Sequence, residues 1–331
     1  MQKKKVAISI GDVNGVGLEI AIRAHAHISQ YATPMYCVHK EILEQAYALL
    51  ESSAIESSMI KSHTTQSTKA LSKLPKLPES SLCPPPTREI PLITPGALDS
   101  LSGAYSYASF THACDLVDSG ECASVLTLPI HKLAWQMAGI PHIGHTDALK
   151  SRYGSEGIMM LGCESLFVAL FSDHIALKDV SARIHTRALR EFLLNLARCV
   201  PDMNECAVLG LNPHCGDGGL MGEEDALITQ AITQANEALG RAMFVGALPP
   251  DSAFSPHNRA RFKHYVSMYH DVGLAPLKAL YFEQSINVTL NLPILRASVD
   301  HGVAFDKAYK AKELSLQSYI NALKYVVSAR G

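Results

Sequence analysis

Short runs of apolar residues alternate along the chain with longer stretches in which apolar positions return every three or four residues. VAISI, from Val6 to Ile10, leads through a glycine-bearing turn into a helical pattern from about Leu18, then MYCV, then a second helical pattern from about Lys40. Later strand-like runs are ASVLTL, GIMML, LFVALF, AVLGL, HYVSMY and INVTL, with helical periodicity near residues 97–118, 187–198, 222–239 and 315–329. Short runs that are apolar throughout suit strands covered on both faces, and interleaved helices supply the crossovers between parallel strands. The pattern predicts an α/β protein assembled from βαβ units. Residues 52–95 break it: Ser, Thr, Lys and Pro without periodicity, as in KLPKLPESSLCPPPTREIP, predict an irregular surface segment.

Length changes this picture by allowing two lobes, since 331 residues exceed one ordinary core. No linker marks a boundary, and a discontinuous division, roughly 1–140 plus 300–331 against 141–299, is as compatible as two sequential domains. With 47% hydrophobic and 18% charged residues, and no apolar run near the roughly 20 residues of a membrane span, the chain reads as soluble. The basic start MQKKK precedes too short an apolar run for a secretory signal. Eight cysteines form no C-x-x-C pair and read as reduced thiols of a cytoplasmic protein. A net charge of −2 supplies no general attraction for nucleic acid.

Several motifs carry candidate chemistry. GDVNGVGLE places Gly11, Gly15 and Gly17 between a strand and a helix; it suits close backbone approach to a dinucleotide or a plain strand-to-helix turn, and its spacing is not G-x-G-x-x-G. In GHTDALK, His145 and Thr146 can grip a phosphate or a hydroxyl, or Thr146 can cap the helix that follows. His174, His214 and His270 each lie at or just beyond the end of a predicted strand, where open α/β sheets place ligands. Three such imidazoles can share one divalent ion, though a hydrogen-bonded or surface role is the plainer alternative for each. Lys278, Asn287 and Arg296 follow; a cation there suits an anionic substrate or is a solvated surface charge.

Six motifs in order, GDVNGVGLE, GHTDALK, GLNPHCGDGGLMGEE, GALPPDSAF, MYHDVGLAPLKAL and INVTLNLPILRASVDHG, closely resemble the 4-hydroxythreonine-4-phosphate dehydrogenase (PdxA) family of vitamin B6 biosynthesis, from Lys5 to about Asp306. The opening also resembles isocitrate and isopropylmalate dehydrogenases, which implies their two-lobed α/β fold with a cleft between lobes. The resemblance implies that His174, His214 and His270 hold a divalent metal (zinc, magnesium or cobalt) in a site shared between two subunits of a homodimer. It implies further that His145, Thr146, Lys278, Asn287 and Arg296 contact a small phosphorylated substrate. Asp251, in PPDSAF, falls at a family active-site position as a metal or substrate contact, and Lys278 is the candidate proton carrier, with Asp251 or a metal-bound water as the alternatives. The implied reaction is oxidation of 4-phosphohydroxy-L-threonine by NAD, or NADP, to a β-keto acid that decarboxylates to 3-amino-2-oxopropyl phosphate.

The chain departs from the family pattern in three places. TLPIHK has Leu128 where the family has a small residue; DHGVAFDKAYKAKEL replaces a Gly-Thr-Gly element that in the related dehydrogenases lines the adenine end of the dinucleotide; and the Ser- and Pro-rich segment before Pro95 matches nothing in the family pattern. No residue is assigned to the cofactor. The alternatives are a paralogous dehydrogenase of phosphothreonate or phosphoerythronate, and an inactive homologue that binds a metal or phosphate ligand.

Overall fold

The computed structural model describes residues 3–61, 74–310 and 313–329. It runs β1 (Lys5–Ser9), α1 (Gly17–Ile28), β2 (Thr33–Cys37), α2 (Lys40–Lys61), α3 (Ser100–Asp118), β3 (Ser124–Thr127), α4 (Lys132–Met137) and α5 (His145–Tyr153). Next come β4 (Ile158–Cys163), β5 (Leu166–Leu170), α6 (Thr186–Cys199), β6 (Cys206–Leu209), α7 (Glu224–Leu239), β7 (Phe244–Leu248), α8 (Pro250–Ala253) and α9 (Pro256–Arg261). They are followed by β8 (His264–Ser267), α10 (His270–Tyr281), β9 (Ile286–Leu290), β10 (Arg296–Val299) and α11 (Gln317–Ser328). The class is α/β, and the chain divides into two compact units, Met1–Gly154 with Pro293–Gly331, and Ser155–Leu292.

In the first unit the strand order is β2-β1-β3-β10, all parallel. Val6, Ala7, Ile8, Val125 and Leu126 are wholly buried, as a parallel sheet covered on both faces demands. The glycine turn after β1 is a packing device. Gly11 takes a left-handed φ of 69°, and a Cβ there would collide with the carbonyl oxygens of Leu128 and Pro129. The N–H groups of Asp12, Asn14, Gly15 and Val16 donate to Pro129 O, Asp12 Oδ1, Asp12 O and Val303 O. With those amides engaged within the protein and the turn buried, Gly11 to Gly17 form a plain strand-to-helix turn, and these N–H groups are not open to a dinucleotide. Leu128, the departure from the family's small residue, is accommodated by complete burial beside Gly17.

The expectation of irregular chain over 52–95 needs correction at its start. α2 continues to Lys61, because that stretch, for all its serines, holds no proline or glycine to stop a helix. Residues 62–73 lie outside the described residues. From Leu74 to Pro95 the chain is irregular apart from one 3₁₀ turn, Glu79–Ser81, and a single parallel β-bridge from Leu82 to Tyr36, and it is tied down by its backbone. Leu77 N–H donates to Tyr47 Oη (2.9 Å), Ile93 N–H to Gln45 Oε1 (2.8 Å) and Thr94 N–H to Asn14 Oδ1 (2.8 Å), with Leu77 and Ile93 buried.

The second unit has strand order β9-β4-β5-β8-β6-β7; β4 is antiparallel to both neighbours and the rest are parallel. Its core joins Leu166, Val168, Leu209, Phe262, Tyr265 and Leu274. α10 escapes the hydrophobic pattern because Gly273 and Pro276 interrupt it. Gly273 is there for contact: a Cβ would press on Val168 and Ser267 at 2.7 Å. All eight cysteines are free thiols, and no helix among the described residues is long and apolar enough to cross a membrane.

Candidate active site

Arg296 opens β10 with only 3% of its surface exposed, so it is not the solvated charge that the sequence leaves open. Its guanidinium donates to Thr127 Oγ1 from Nε (3.1 Å) and Nη2 (2.7 Å), and from Nη2 to Nδ1 of His145 (3.2 Å). Burial pushes the guanidinium down to about 10, which leaves it charged at neutral pH. His145 is the first residue of α5 and packs between Phe110, with ring centroids 4.8 Å apart, and Trp135, 5.5 Å away and nearly perpendicular. Trp135 is fixed in turn by its indole N–H, which donates to Ser106 Oγ (2.7 Å). His145 as a whole is half-buried, but its Nε2 lies out of solvent with no hydrogen-bond partner. Burial first, and the Arg296 charge second, hold its imidazole well below the ordinary histidine range.

Thr146 is the second residue of α5. The cap position is Gly144, two residues before the one a Thr146 cap requires, and no side chain caps the helix; the capping reading is corrected accordingly. Asp147 accepts from Ile143 N–H (3.2 Å) and places negative charge on the first turn, where the helix dipole favours it.

In the second unit His174 and His270 lie with ring centroids 5.7 Å apart. Each has the adjacent carboxylate at its Nδ1: Asp173 Oδ2 at 3.5 Å and Asp271 Oδ1 at 2.9 Å. The His174 contact, set against burial, takes the Asp173 carboxyl down to about 2, so it is ionised at neutral pH. A carboxylate on Nδ1 is the usual partner of a histidine that ligates metal through its other nitrogen. Among the described residues, however, no group of three His, Cys, Asp or Glu side chains can hold an ion.

His214 stands on a turn, Pro213–Gly219, whose φ values from His214 to Gly219 are 53°, 53°, 78°, 46°, 70° and 97°. Pro213 keeps Asn212 extended (φ −89°, ψ 158°), and three of the left-handed positions are glycine. The other three, His214, Cys215 and Asp217, each cost about 1–2 kcal/mol for an L-residue. Acids from the start of α7 hold the turn in place. Buried Asp225 accepts from Leu211 N–H (2.8 Å) and Asn212 N–H (3.0 Å), while Glu224 accepts from Asn212 Nδ2 (2.8 Å) and from Ser181 Oγ. Asp251 lies on α8, near enough to act on the Cys215 thiol, which burial raises first and the charges of Asp225 and Asp251 raise further. Lys278 is on α10 with Nζ over the Phe282 ring (5.2 Å), and Asn287 is on β9 opposite Leu161 of β4.

Thr127, Phe110, Trp135, Asp173, Asp271 and Asp225 are contributors that sequence reasoning passed over. The Asp-His and His-Asp adjacency in SDHI and YHDV was the available signal for two of them, while the aromatic and threonine partners of His145 have none at the level of spacing.

A family model described as pyridoxal phosphate biosynthetic protein PdxA matches residues 30–326. A protein of Sulfurimonas denitrificans named 4-hydroxythreonine-4-phosphate dehydrogenase is 47% identical over 99% of this chain and 98% of its own length. One of the same name from Helicobacter pylori strain J99 is 49% identical over 98% of this chain and all of its own. Crystal structures bearing that enzyme name resemble this fold: Klebsiella pneumoniae, 26% identical with TM-score 0.75 over 98% of this chain and 97% of that one, and Burkholderia phymatum, 28% with TM-score 0.76 over the full length of both. Buried Arg296 with His145 and the carboxylate-backed pair His174 and His270 thus occur in a chain related to those enzymes from end to end, and the chain belongs to the PdxA family of pyridoxal phosphate biosynthetic proteins.

Proposed function

We propose that the chain oxidises 4-phosphohydroxy-L-threonine, with NAD or NADP as acceptor, to a β-keto acid that loses carbon dioxide and leaves 3-amino-2-oxopropyl phosphate. One observation carries the reading: a buried, charged Arg296 beside an unpartnered His145 Nε2, the donor set a phosphate ester needs, in a family of dehydrogenases.

The residues fit a divalent ion in part. His174 and His270 supply two imidazoles with their carboxylates, and His214 is not grouped with them in one copy. The reading is therefore a homodimer in which a second copy brings His214 to the pair. For the dinucleotide, the supporting observation is the parallel stack of His131 on Phe305 (5.1 Å, 11°), both half-buried in the first unit, with Phe305 in the stretch after His301 that departs from the family pattern. Such an aromatic face suits a purine base. When bound, the cation supplies Lewis acidity and NAD the hydride acceptor.

The chain's own groups divide the remaining work. Arg296 and His145 grip the phosphate, and Thr146 adds its hydroxyl and the amides of the first turn of α5. Asn287 orients the substrate through its amide. The proton of the secondary hydroxyl passes to Lys278 Nζ or to the Asp251 carboxylate.

The test is reduction of NAD by purified protein on 4-phosphohydroxy-L-threonine with zinc, magnesium or cobalt, against a chelated control. Metal-dependent turnover is expected. Oxidation of phosphothreonate or phosphoerythronate in its place would overturn the substrate, and undiminished activity after chelation would overturn the metal. Phe305→Ala is expected to weaken NAD binding by about 1–3 kcal/mol, the usual worth of one stacked base, and leave phosphate binding unchanged by calorimetry.

A further inference from the structure

The contact between Arg296 and His145 decides a proton position. A guanidinium has donors only, so at 3.2 Å from Arg296 Nη2 the Nδ1 of His145 must present its lone pair. An imidazole that accepts at Nδ1 carries its proton on Nε2. That nitrogen is out of solvent and without a partner, a buried donor aimed at something absent from the protein itself. The guanidinium cannot swing away, because Thr127 Oγ1 on β3 accepts from its Nε and its Nη2 together. Phe110 of α3 and Trp135 of α4 fix the ring plane from two sides.

We infer that His145 meets the substrate phosphate as a neutral imidazole with its proton held on Nε2, and that Thr127 is the positioning residue that imposes this tautomer through Arg296. The inference deepens the phosphate reading above and rests on it. The charged and titratable groups facing His145 agree. Arg296 from β10 repels a second positive charge, and Cys114 of α3, beside that guanidinium, is an uncharged thiol, pushed up to about 12 by burial. Arg296 supplies the charge that an anion needs, and His145 supplies direction: one donor, fixed in place, with no counter-charge of its own.

The decisive measurement is the nitrogen NMR spectrum of protein labelled at histidine, with His145 assigned by its loss in His145→Gln. The expected spectrum has His145 unprotonated at Nδ1 and protonated at Nε2, unchanged between about pH 6 and 8, where an ordinary histidine titrates. A titrating His145, or a proton on Nδ1, overturns the inference whatever the ligand. Inorganic phosphate should shift the Nε2 signal; a fixed tautomer that phosphate leaves unmoved overturns the phosphate role alone. Thr127→Val should raise KM for the phosphorylated substrate about 10- to 100-fold with kcat little changed, and Thr127→Ser, which restores the acceptor, should recover most of it. Equal losses in both variants, with circular dichroism unchanged, would remove Thr127 from the proposal.

Discussion

Arg296 is worth more than its charge, because Nε and Nη2 are both committed to Thr127 while Nη2 also reaches His145. Lysine keeps the charge and lacks the fork. Arg296→Lys is expected to raise KM for the phosphorylated substrate by roughly 10- to 100-fold, the worth of a charged hydrogen bond, without unfolding the protein; titration calorimetry with phosphate checks it. His264 is stacked on Phe167 in the second unit. Burial, then Lys263, takes its imidazole down from 6.5 to about 4. The unfolded chain therefore binds its proton first as pH falls, and this histidine lowers stability progressively from about pH 6.5 to about 4. Replacing it, as in His264→Phe, should flatten that part of the urea-midpoint profile against pH. At this scale the sequence names His145 and Arg296 through family motifs, but not Thr127. A threonine inside a buried strand looks like any other β-branched residue until the strand that carries Arg296 is laid beside it.

Among the elements, the legible ones are those whose residues follow a single period. α3, α6, α7 and α11 fall where apolar spacing predicts helices, and VAISI, LFVALF and INVTL become β1, β5 and β9. β10 escapes because its first residue is a buried arginine, and β7 because a glycine interrupts a short edge strand. The turn Pro213–Gly219 shows the same limit from another side. Its glycines forecast tight winding, but not that His214, Cys215 and Asp217 would share the left-handed conformation. Such a backbone persists only where neighbours over-determine it, and here Asp225 does so from outside the turn. Asp225→Ala leaves two backbone donors without their acceptor and should destabilise the protein by about 1–3 kcal/mol. If His214 serves the metal, the same variant lowers bound metal although Asp225 ligates nothing; denaturant melts and metal analysis on one preparation read both effects.

For the whole molecule, the homodimer reading makes its own prediction. His214→Ala and His174→Ala should each be inactive, and a mixture refolded or co-expressed together should regain about a quarter of wild-type activity, since half the dimers are hybrid and each hybrid has one intact site. No recovery would mean that a single copy provides all three imidazoles. The division of the chain has a consequence in time as well. Ser155–Leu292 is continuous, whereas the first unit is left unfinished at Gly154 and completed only by β10 and α11. Units fold as they emerge during synthesis, so the inner one is released whole while β3 still waits for a partner some 170 residues downstream. Arg296 arrives on that late strand. If Arg296 grips phosphate as proposed above, that grip is completed late, with only α11 still to follow, and a nascent chain stalled before residue 296 would hold the His174 and His270 pair without it.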